Sequence, residues 1–302
     1  MERPVPGEDE VLVRVRAVGL NWADYSVLTG VPYMVRLGFG LPRPRQGIRG
    51  TDVSGDVEAV GRGVTGFQAD DEVFGWCKGA LAEYVSVREA SLVAKPENIT
   101  HEQAAAVPMA GMVALQAMRD IGGVRSGHRV LIVGASGGIG TFAVQIAKSM
   151  GADVTGVCSS ANVDLVRSIG ADRVVDYTKE DFTKLDERFD VILDIADNHS
   201  FSERRRILNR GGVLIPNSGE GGRLFGSLRR IVAARLLSPF LPVSLHPFLS
   251  TYKREDLVAL EKLIENGDVE PVVGRTYPLV ETPAALDYVG RRHSRGTTVV
   301  TV

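Results

Sequence analysis

The chain is poor in the residues that usually cross-link a protein or give it a strong charge. Among its 302 residues there are only two cysteines, Cys77 and Cys158, which are too few for a disulfide framework. Two thiols without clustered histidines also cannot build a structural zinc site. The 35 basic and 37 acidic side chains nearly cancel, leaving a formal net charge of −2. The composition therefore argues against a nucleic-acid partner and predicts a reducing compartment.

Long apolar runs and a leader segment are missing as well. The apolar stretches are interrupted well before the length of a membrane span, so no membrane partner is expected. The first residues, Met1–Pro6, lack the basic start and apolar core of a signal peptide, and we expect a cytoplasmic protein. Two arginine clusters, Arg204–Arg206 and Arg229–Arg230, are expected to be solvated helix faces.

The segment Arg129–Lys148 carries the strongest pattern in the chain. The apolar run Val130–Val133 is typical of a buried parallel strand, and the residues after Gly140 follow a helical period. Between them lies a glycine-rich turn, Ala135-Ser-Gly-Gly-Ile-Gly140. Backbone N–H groups at the start of such a helix, with the helix dipole behind them, favour a pyrophosphate. The segment predicts a dinucleotide site, with cofactor-binding residues Ser136, Gly137, Gly138 and Ile139.

The turn departs from the usual G-x-G-x-x-G at one position, because its first glycine is replaced by Ala135. Gly137 is expected to let the backbone approach the phosphates, and Gly140 to let the helix pack closely on the sheet. A merely flexible glycine loop is the alternative, but it does not explain the buried strand before the turn or the apolar helix after it.

The pattern of secondary structure changes along the chain. Residues 1 to about 100 are rich in short strands with glycine turns, which indicates a small barrel-like β domain. Thr100 and Gln103 form a capping box that predicts a helix over residues 102–119, kinked at Pro108. From Arg129 onward strands and helices alternate, which predicts an α/β fold with a doubly wound parallel sheet. Helices are also predicted over 223–237, 254–265 and 282–291, and a last strand over 297–302.

The residues after the second strand of this sheet bear on the choice of cofactor. In NAD-specific folds an acidic residue there binds the ribose 2′-hydroxyl, but the segment Val157–Asn162 contains no carboxylate and no cation. Hydroxyl groups at a helix start favour a phosphate. Ser159, Ser160 and Tyr177 are therefore assigned to the cofactor pocket, and NADPH is favoured over NADH. The alternative for the two serines is an ordinary helix N-cap.

Four further segments, together with the glycine turn, form a pattern known from one superfamily. They are Gly19–Tyr25, Gly50–Gly61, Gly79–Tyr84 and Ile169–Tyr177. In this order they resemble the medium-chain dehydrogenase/reductase superfamily, and most closely its zinc-independent quinone oxidoreductase-like branch. The resemblance implies a homodimer that forms through the edge of a Rossmann sheet. It also implies a GroES-like β-barrel domain that is split in two along the chain. Residues 1–100 form its N-terminal part, residues 101–245 form a Rossmann NAD(P)-binding domain, and residues 246–302 return to the GroES-like domain.

The sequence departs from this superfamily in two places. Zinc-dependent members hold a catalytic metal with a cysteine and a Gly-His-Glu motif, where this chain has Asn21, Thr51 and Asp52. These side chains do not supply the ligands that zinc needs, so no metal is expected. Asp52 is expected to accept backbone N–H groups in its own strand turn. Relatives also begin with a further strand before Pro4–Val13, so either the true start lies upstream or the β domain exposes an edge.

The hypothesis that follows is hydride transfer from NADPH to a quinone or to the β-carbon of an α,β-unsaturated carbonyl compound. Asn21 is assigned to stabilise the carbonyl oxygen, with Asp24 orienting its neighbours, and Tyr33 resembles a tyrosine near substrate in related reductases. Asn21 as a plain turn residue and Tyr33 as a loop aromatic are the alternatives. The nicotinamide is expected near Asp194–Asn198 and Leu214–Asn217, including Asn217 itself. The apolar segment Phe225–Phe248 is a candidate cap over an apolar substrate, a part of the core or a dimer contact.

Two other functions fit the same sequence. A non-catalytic NADPH-binding sensor or partner protein would need the nucleotide site but no reactive side chain. A zinc-dependent interconversion of alcohol and carbonyl would need one tightly held metal per chain. Measuring NADPH binding, turnover and metal content on the same protein separates the three functions.

Overall fold

A computed structural model describes residues 3–31, 33, 36, 47–196, 199–217, 244–246, 250–292 and 294–302. The chain forms two compact units. The first, the β unit, comprises residues 1–30, 35–112 and 251–302, and the second, the nucleotide unit, comprises residues 31–34 and 113–250. In chain order the elements are β1 (Glu10–Leu20), α1 (Trp22–Thr29), β2 (Asp52–Val60), β3 (Glu72–Trp76), β4 (Tyr84–Arg88), β5 (Leu92–Ala94), α2 (His101–Ala105), α3 (Pro108–Leu115), a π-helical turn (Gln116–Ile121), β6 (Arg129–Val133), α4 (Gly138–Ser149), β7 (Asp153–Cys158), α5 (Val163–Ser168), β8 (Arg173–Asp176), β9 (Phe189–Asp194), α6 (Phe201–Arg206), β10 (Leu208–Pro216), β11 (Ser244–Leu245), α7 (Arg254–Glu265), β12 (Val273–Pro278), α8 (Thr282–Gly290) and β13 (Thr297–Thr301).

The β unit is built on one mostly antiparallel sheet. Its strands run in the order β12-β13-β1-β2-β3-β5, and β4 pairs with β1. β1 is paired on both sides, because β2 lies along one side while β4 and β13 share the other, β4 beside the first half of β1 and β13 beside its last residues. The alternating apolar side chains of these strands meet α8 in a buried core that includes Val13, Val53 and Leu286.

The nucleotide unit has the predicted doubly wound parallel sheet. Its strand order is β11-β10-β9-β6-β7-β8, and each neighbouring pair is parallel. The order reverses direction at β6, which places the β6 turn at the point where such sheets bind ligands. Leu131, Ile192 and Leu214 lie in its core on three adjacent strands.

The chain segment 100–121, in which one unit ends and the other begins, differs from the prediction in its details. The capping box is confirmed, since Thr100 N–H donates to Gln103 Oε1 at 3.0 Å and Gln103 N–H donates to Thr100 Oγ1 at 3.3 Å. The single kinked helix is instead two helices, because Pro108 has no N–H group and begins a new helix. The β unit also extends to residue 112 rather than 100, since Ala105 packs with Ala17 and Val299 of its sheet.

The chain passes from the nucleotide unit back to the β unit between residues 250 and 251, five residues beyond the predicted boundary at 245/246. Leu245 of β11 pairs with Leu214 of β10, which keeps this short strand in the nucleotide unit. The predicted helix over 223–237 lies outside the described residues. No helix among the described residues is long and apolar enough to cross a membrane.

Candidate functional site

The glycine turn lies between β6 and α4, as the sequence predicts. Gly134 takes a left-handed conformation with φ 85°, and Gly137 caps α4 in an extended conformation. A Cβ atom at Gly140 would overlap the carbonyl oxygen of Gly134, so only glycine lets α4 rest directly on the turn. At Gly137, by contrast, a Cβ atom would meet only that same oxygen, at 3.5 Å. The turn therefore leaves open space beside Gly137.

The backbone donors of this turn suit an anion. Gly138, Ile139 and Gly140 form the first turn of α4, where N–H groups have no carbonyl four residues earlier in the helix. Ser136 lies just before them and is almost fully buried. The positive end of the helix dipole adds to the attraction. The residues present thus fit the pyrophosphate of a dinucleotide.

The alanine that replaces the first glycine has a structural explanation. Ala135 is fully buried and faces Gly156 on the neighbouring strand β7. A Cβ atom at Gly156 would lie 3.0 Å from the Ala135 methyl group, which is a tight contact, and 2.5 Å from Val166 Cγ1, which is closer than real Cβ atoms approach. The methyl group of Ala135 is therefore accommodated because position 156 has none.

The residues assigned to the adenosine end come together where β7 and β8 end. Cys158 is in register with Asp176, so Ser159, Ser160 and Tyr177 follow at the same edge of the sheet. Ser159 Oγ accepts a hydrogen bond from Asn162 at 3.2 Å, and the Tyr177 side chain is half exposed. The sequence segment after β7 contains no carboxylate, yet Asp176 of β8 reaches Ser160 Oγ at 2.5 Å. Sequence reasoning missed this carboxylate because it belongs to the next strand.

The strand ends expected near the nicotinamide contain a buried ion pair. Asp194 is fully buried at the end of β9, and its Oδ2 accepts a hydrogen bond from Arg204 Nη1 at 2.6 Å. The backbone N–H of Asn217 donates to the Asp194 carbonyl oxygen at 2.8 Å, so the predicted residue Asn217 lies beside this strand end. Asp194 thus holds the sheet and α6 together. Asp197 and Asn198 lie outside the described residues.

The same pair corrects an expectation about the arginine clusters. Arg204 was expected on a solvated helix face, but its side chain is 8% exposed because it pairs with Asp194. Arg205 and Arg206 are exposed as expected. The second cluster, Arg229–Arg230, lies outside the described residues.

In the β unit, Asn21 joins two buried carboxylates. It precedes α1, and its backbone N–H donates to Asp24 Oδ2 at 2.9 Å. Its side-chain Nδ2 donates to Asp52 Oδ2, also at 2.9 Å. Thr51 Oγ1 donates to the other oxygen of Asp24 at 3.4 Å. Asn21 is thus held by both acids. The Asn21 cluster is the name used below for Asn21, Asp24, Thr51, Asp52 and Tyr252.

Asp52 departs from its expected role as an acceptor within its own turn. Its Oδ2 accepts the backbone N–H of Met109 at 3.0 Å, which is a donor at the start of α3. Tyr252 donates a further hydrogen bond to this carboxyl group. Asp52 is 1% exposed, and its Oδ1 has no hydrogen-bond partner among the described residues. The role of Asp52 differs from the expected one because Met109 and Tyr252, which donate to it, lie far along the chain from its own turn.

Burial of the two acids changes their protonation. Desolvation raises the pKa of Asp52 to about 8, against the hydrogen bonds that favour its charged form. Burial likewise raises the pKa of Asp24 to about 6. The negative charge of Asp24 adds to the shift at Asp52. Near neutral pH, Asp24 is therefore mostly ionised and Asp52 mostly protonated, so the Asn21 cluster carries about one negative charge.

Tyr252 of the cluster and the nearby Cys77 had no functional signal in the sequence. Tyr252 stacks on Trp76 with ring centroids 5.3 Å apart, and this contact joins β3 to the segment before α7. Cys77 follows Trp76, and burial raises the pKa of its thiol above the usual range. In the sequence, this part of the fold was marked by Asn21, Thr51 and Asp52, which stand where zinc-dependent members have their metal ligands.

The remaining predicted residues are described only in part. Tyr33 has an exposed side chain, and residues 32, 34 and 35 beside it lie outside the described residues. Its catalytic role stays a prediction. Of the apolar segment Phe225–Phe248, the structure describes residues 244–246, where Leu245 packs on the core of the nucleotide unit.

Among the described residues, one group of three side chains has a spacing that could hold a metal ion. It consists of Asp56, Glu72 and His101, away from the Asn21 cluster. Asp56 already pairs with Arg14 at 2.9 Å and with Arg16 at 2.8 Å. His101 Nδ1 lies 2.8 Å from Ser54 Oγ, and burial lowers the pKa of this histidine. Glu72 pairs with Lys95 at 3.1 Å, so both carboxylates are engaged by the chain's own cations.

Comparison with known proteins identifies the family. The family model for the alcohol dehydrogenase GroES-like domain matches residues 7–97, and that for the zinc-binding dehydrogenase matches residues 169–300. The chain is 33% identical to the mouse mitochondrial NAD(P)H oxidoreductase RTN4IP1, over 97% of this chain and 82% of that protein. It belongs to the medium-chain dehydrogenase/reductase superfamily. Within that superfamily it is an oxidoreductase of the NAD(P)-binding, quinone oxidoreductase-like group.

Two further similarities support the assignment to this superfamily. The chain is 31% identical to the chloroplast envelope quinone oxidoreductase homolog of Arabidopsis thaliana, over 98% of this chain and 91% of that protein. The solved quinone oxidoreductase of Coxiella burnetii superposes with a TM-score of 0.82 at 27% identity, covering 100% of this chain and 93% of the other. The predicted fold class is confirmed.

Proposed function

We propose that this member of the superfamily is an NADPH-dependent oxidoreductase that transfers hydride, without a metal, to a quinone or an α,β-unsaturated carbonyl compound. The observation that carries the proposal is Asn21, whose amide is fixed by Asp52 at the place where zinc-dependent members have a cysteine ligand. The names of the relatives, which are NAD(P)H and quinone oxidoreductases, support the same class of reaction.

The nucleotide unit supplies the cofactor site in this proposal. Bound NADPH supplies the hydride, and the chain supplies binding and orientation. The N–H groups of the turn from Ser136 to Ile139 hold the pyrophosphate. Ser159, Ser160 and Tyr177 hold the adenosine end, and Asn217 lies toward the nicotinamide. The open space at Gly137 and the free amides of α4 support this assignment.

The donor chemistry of the Asn21 cluster supports a reaction without zinc. Zinc takes thiolate, imidazole or carboxylate ligands, usually with three from the protein in a catalytic site. Asn21 presents an N–H donor to Asp52, and the hydroxyl of Thr51 donates to Asp24. Cys77 is a thiol rather than a thiolate at neutral pH, because burial raises its pKa. The cluster is therefore arranged for hydrogen bonding, and no step is assigned to a metal.

Asn21 is the residue that we assign to the reacting carbonyl group. One of its two Nδ2 hydrogens is used on Asp52, so one remains to donate to an oxygen on which negative charge grows. Asp52 and Asp24 are positioning residues, because they fix the amide and the backbone of Asn21. Tyr33 is proposed as a second donor of a hydrogen bond or proton to the substrate.

The test compares wild type with Asn21→Ala in two measurements. NADPH binding is followed by nucleotide fluorescence, and turnover is measured with 1,4-benzoquinone and with an enal in the presence of a chelator. We expect unchanged NADPH affinity and a fall in turnover of about a hundred-fold, the usual cost of one oxyanion donor. Thr29→Ala, at the other end of α1, is the matched control and should leave turnover unchanged.

Three other outcomes would contradict the proposal or the role of Asn21. Binding of NADPH without turnover of any acceptor would support the non-catalytic sensor. Loss of activity with chelator, together with one zinc per chain, would support alcohol–carbonyl interconversion. Unchanged turnover in Asn21→Ala would remove Asn21 from the site.

A homodimer formed through the edge of the Rossmann sheet and a cytoplasmic location belong to the same proposal. Light scattering on the purified chain tests the dimer. The location needs its own measurement, because the names of the relatives place them in mitochondria and in the chloroplast envelope.

A further inference from the structure

Asp176 organises the sheet edge at which the adenosine ribose of a bound dinucleotide would lie. Its two carboxylate oxygens have separate partners. Oδ1 accepts the Thr178 N–H at 3.0 Å and the Thr178 hydroxyl at 2.7 Å. Oδ2 accepts the Ser160 hydroxyl at 2.5 Å and lies 3.0 Å from Lys179 Nζ. These hydrogen bonds lower the pKa of Asp176, so the group is ionised at neutral pH.

This arrangement changes what each side chain can offer to a nucleotide. The proton of the Ser160 hydroxyl is committed to Asp176, so Ser160 is not free to donate to a phosphate. The lone pairs of Asp176 are taken by Thr178, Lys179 and Ser160, so it is poorly placed to accept a ribose 2′-hydroxyl as the acidic residue of NAD enzymes does. A 2′-phosphate at this edge of the sheet therefore needs a donor other than the Ser160 hydroxyl.

Lys179 offers a positive charge and N–H donors that a 2′-phosphate at this edge would need. Its side chain is 74% exposed, and its ammonium shares Asp176 Oδ2 with Ser160. An ammonium group has three N–H donors, and the contact with Asp176 uses one of them. Two donors and most of the surface of the group remain available to a ligand. A cavity of about 260 Å³ opens beside the same loop and is lined by Tyr177, Lys179 and His199 among others.

We propose that Lys179 provides the positive charge that binds the 2′-phosphate of NADPH, and that Asp176 holds Lys179 beside Ser160 for this purpose. The inference rests on the proposed function, because it assumes that the glycine turn binds a dinucleotide. Asp176 has two opposing effects in this arrangement. It positions the ammonium, but its own negative charge repels a dianionic phosphate. Cofactor preference is thus the balance between one cation and one anion on the same loop.

The test uses binding alone, with two small nucleotides that differ only in the 2′-phosphate. Calorimetry gives the affinity of 2′,5′-ADP and of 5′-AMP for wild type, Lys179→Met, Asp176→Asn and the control Lys184→Met. Lys184 is a matched control because it is also highly exposed and also pairs with an aspartate three residues earlier, at 3.3 Å. Neither lysine substitution removes a buried group, so both variants are expected to fold.

We expect Lys179→Met to lose about ten-fold in affinity for 2′,5′-ADP, the usual effect of one charge-assisted hydrogen bond, with 5′-AMP unchanged. Lys184→Met should change neither affinity. Asp176→Asn keeps an amide oxygen that can still hold the Lys179 ammonium, but it removes the negative charge that repels the phosphate. We therefore expect this variant to bind 2′,5′-ADP several-fold more tightly than wild type relative to 5′-AMP.

Two results overturn the inference. The first is an unchanged affinity of Lys179→Met for 2′,5′-ADP while wild type binds both nucleotides. The second is an equal loss in Lys179→Met and Lys184→Met, which would indicate general electrostatic attraction. If wild type binds neither nucleotide and does not bind NADPH or NADH, the proposed function fails as well, and the two failures are thereby distinguished.

Discussion

The substitution Asp52→Asn should make the β unit more resistant to alkaline pH. Asp52 is buried, and its pKa is raised from 3.8 to about 8 in the folded chain. Because the folded pKa lies above the unfolded one, the folded state binds more protons between these values. The stability that this group contributes is complete below pH 4 and is lost as the pH rises through 8. Asparagine keeps an oxygen for Asn21 and Met109 but cannot ionise.

The size of the effect follows from the shift in pKa. A shift of about four pH units corresponds to roughly 6 kcal/mol at about 1.4 kcal/mol per unit, and this is the upper limit for ionising Asp52 in the folded chain. The pKa of about 8 already includes the hydrogen bonds that favour the charged form. In Asp52→Asn the NH₂ group takes the place of Oδ1, which has no hydrogen-bond partner among the described residues, and burying this group unpaired costs about 3 kcal/mol. We therefore expect Asp52→Asn to be more stable than wild type by about 2–3 kcal/mol at pH 9 and no more stable than wild type at pH 5.

The assay can be directed at the unit concerned. Both tryptophans, Trp22 and Trp76, belong to the β unit, so their fluorescence during urea unfolding reports on that unit. The exposed loop carboxylate Asp268 of the same unit serves as the control, since Asp268→Asn should show no such dependence on pH. A stability difference between Asp52→Asn and wild type that stays constant from pH 5 to pH 9 would refute the argument, because it would mean that Asp52 is ionised throughout.

Three further predictions concern other contacts. Tyr252→Phe removes a donor that favours ionised Asp52, so the pH at which tryptophan-monitored stability falls should rise; a downward shift would contradict this role. Gly140→Ala should abolish nucleotide binding by pushing α4 off the turn, measured by NADPH fluorescence, while Gly137→Ala should weaken binding without lowering the melting temperature. Arg204→Met removes the cation that pairs with the buried carboxylate of Asp194, which should cost about 3–5 kcal/mol in thermal or urea unfolding. A loss below about 1 kcal/mol would show that water reaches this carboxylate.

The sequence predicted the elements whose signals are local. The alternation of strands and helices after Arg129, the capping box at Thr100 and the glycine turn all depend on residues within a few positions of one another. The parallel sheet then follows from the connection rules, which leave little choice of order. Helix ends were less well predicted near Pro108, because the missing N–H group can produce either a kink or a new helix.

The sequence did not predict the contacts that join distant segments. Tyr252 reaches Asp52 across 200 positions of the chain, and neither periodicity nor spacing marks such a pair. Asp176 and Lys179 were missed for a related reason. The search for a ribose-binding acid covered the end of β7, whereas the register of β8 brings the side chains of the next strand to the same edge. The zinc-site resemblance located Asn21 and Asp52 but did not reveal that they bond to each other.

Ala135 and Gly156 illustrate how a deviation from a motif can be compensated elsewhere. The turn after β6 carries a methyl group at Ala135, and the facing position on β7, Gly156, carries none. Swapping in the consensus glycine at position 135 alone would leave a void, while adding a methyl group at 156 alone would strike both Ala135 and Val166. A standard glycine turn can therefore be grafted onto this scaffold only if residues 135 and 156 are changed together.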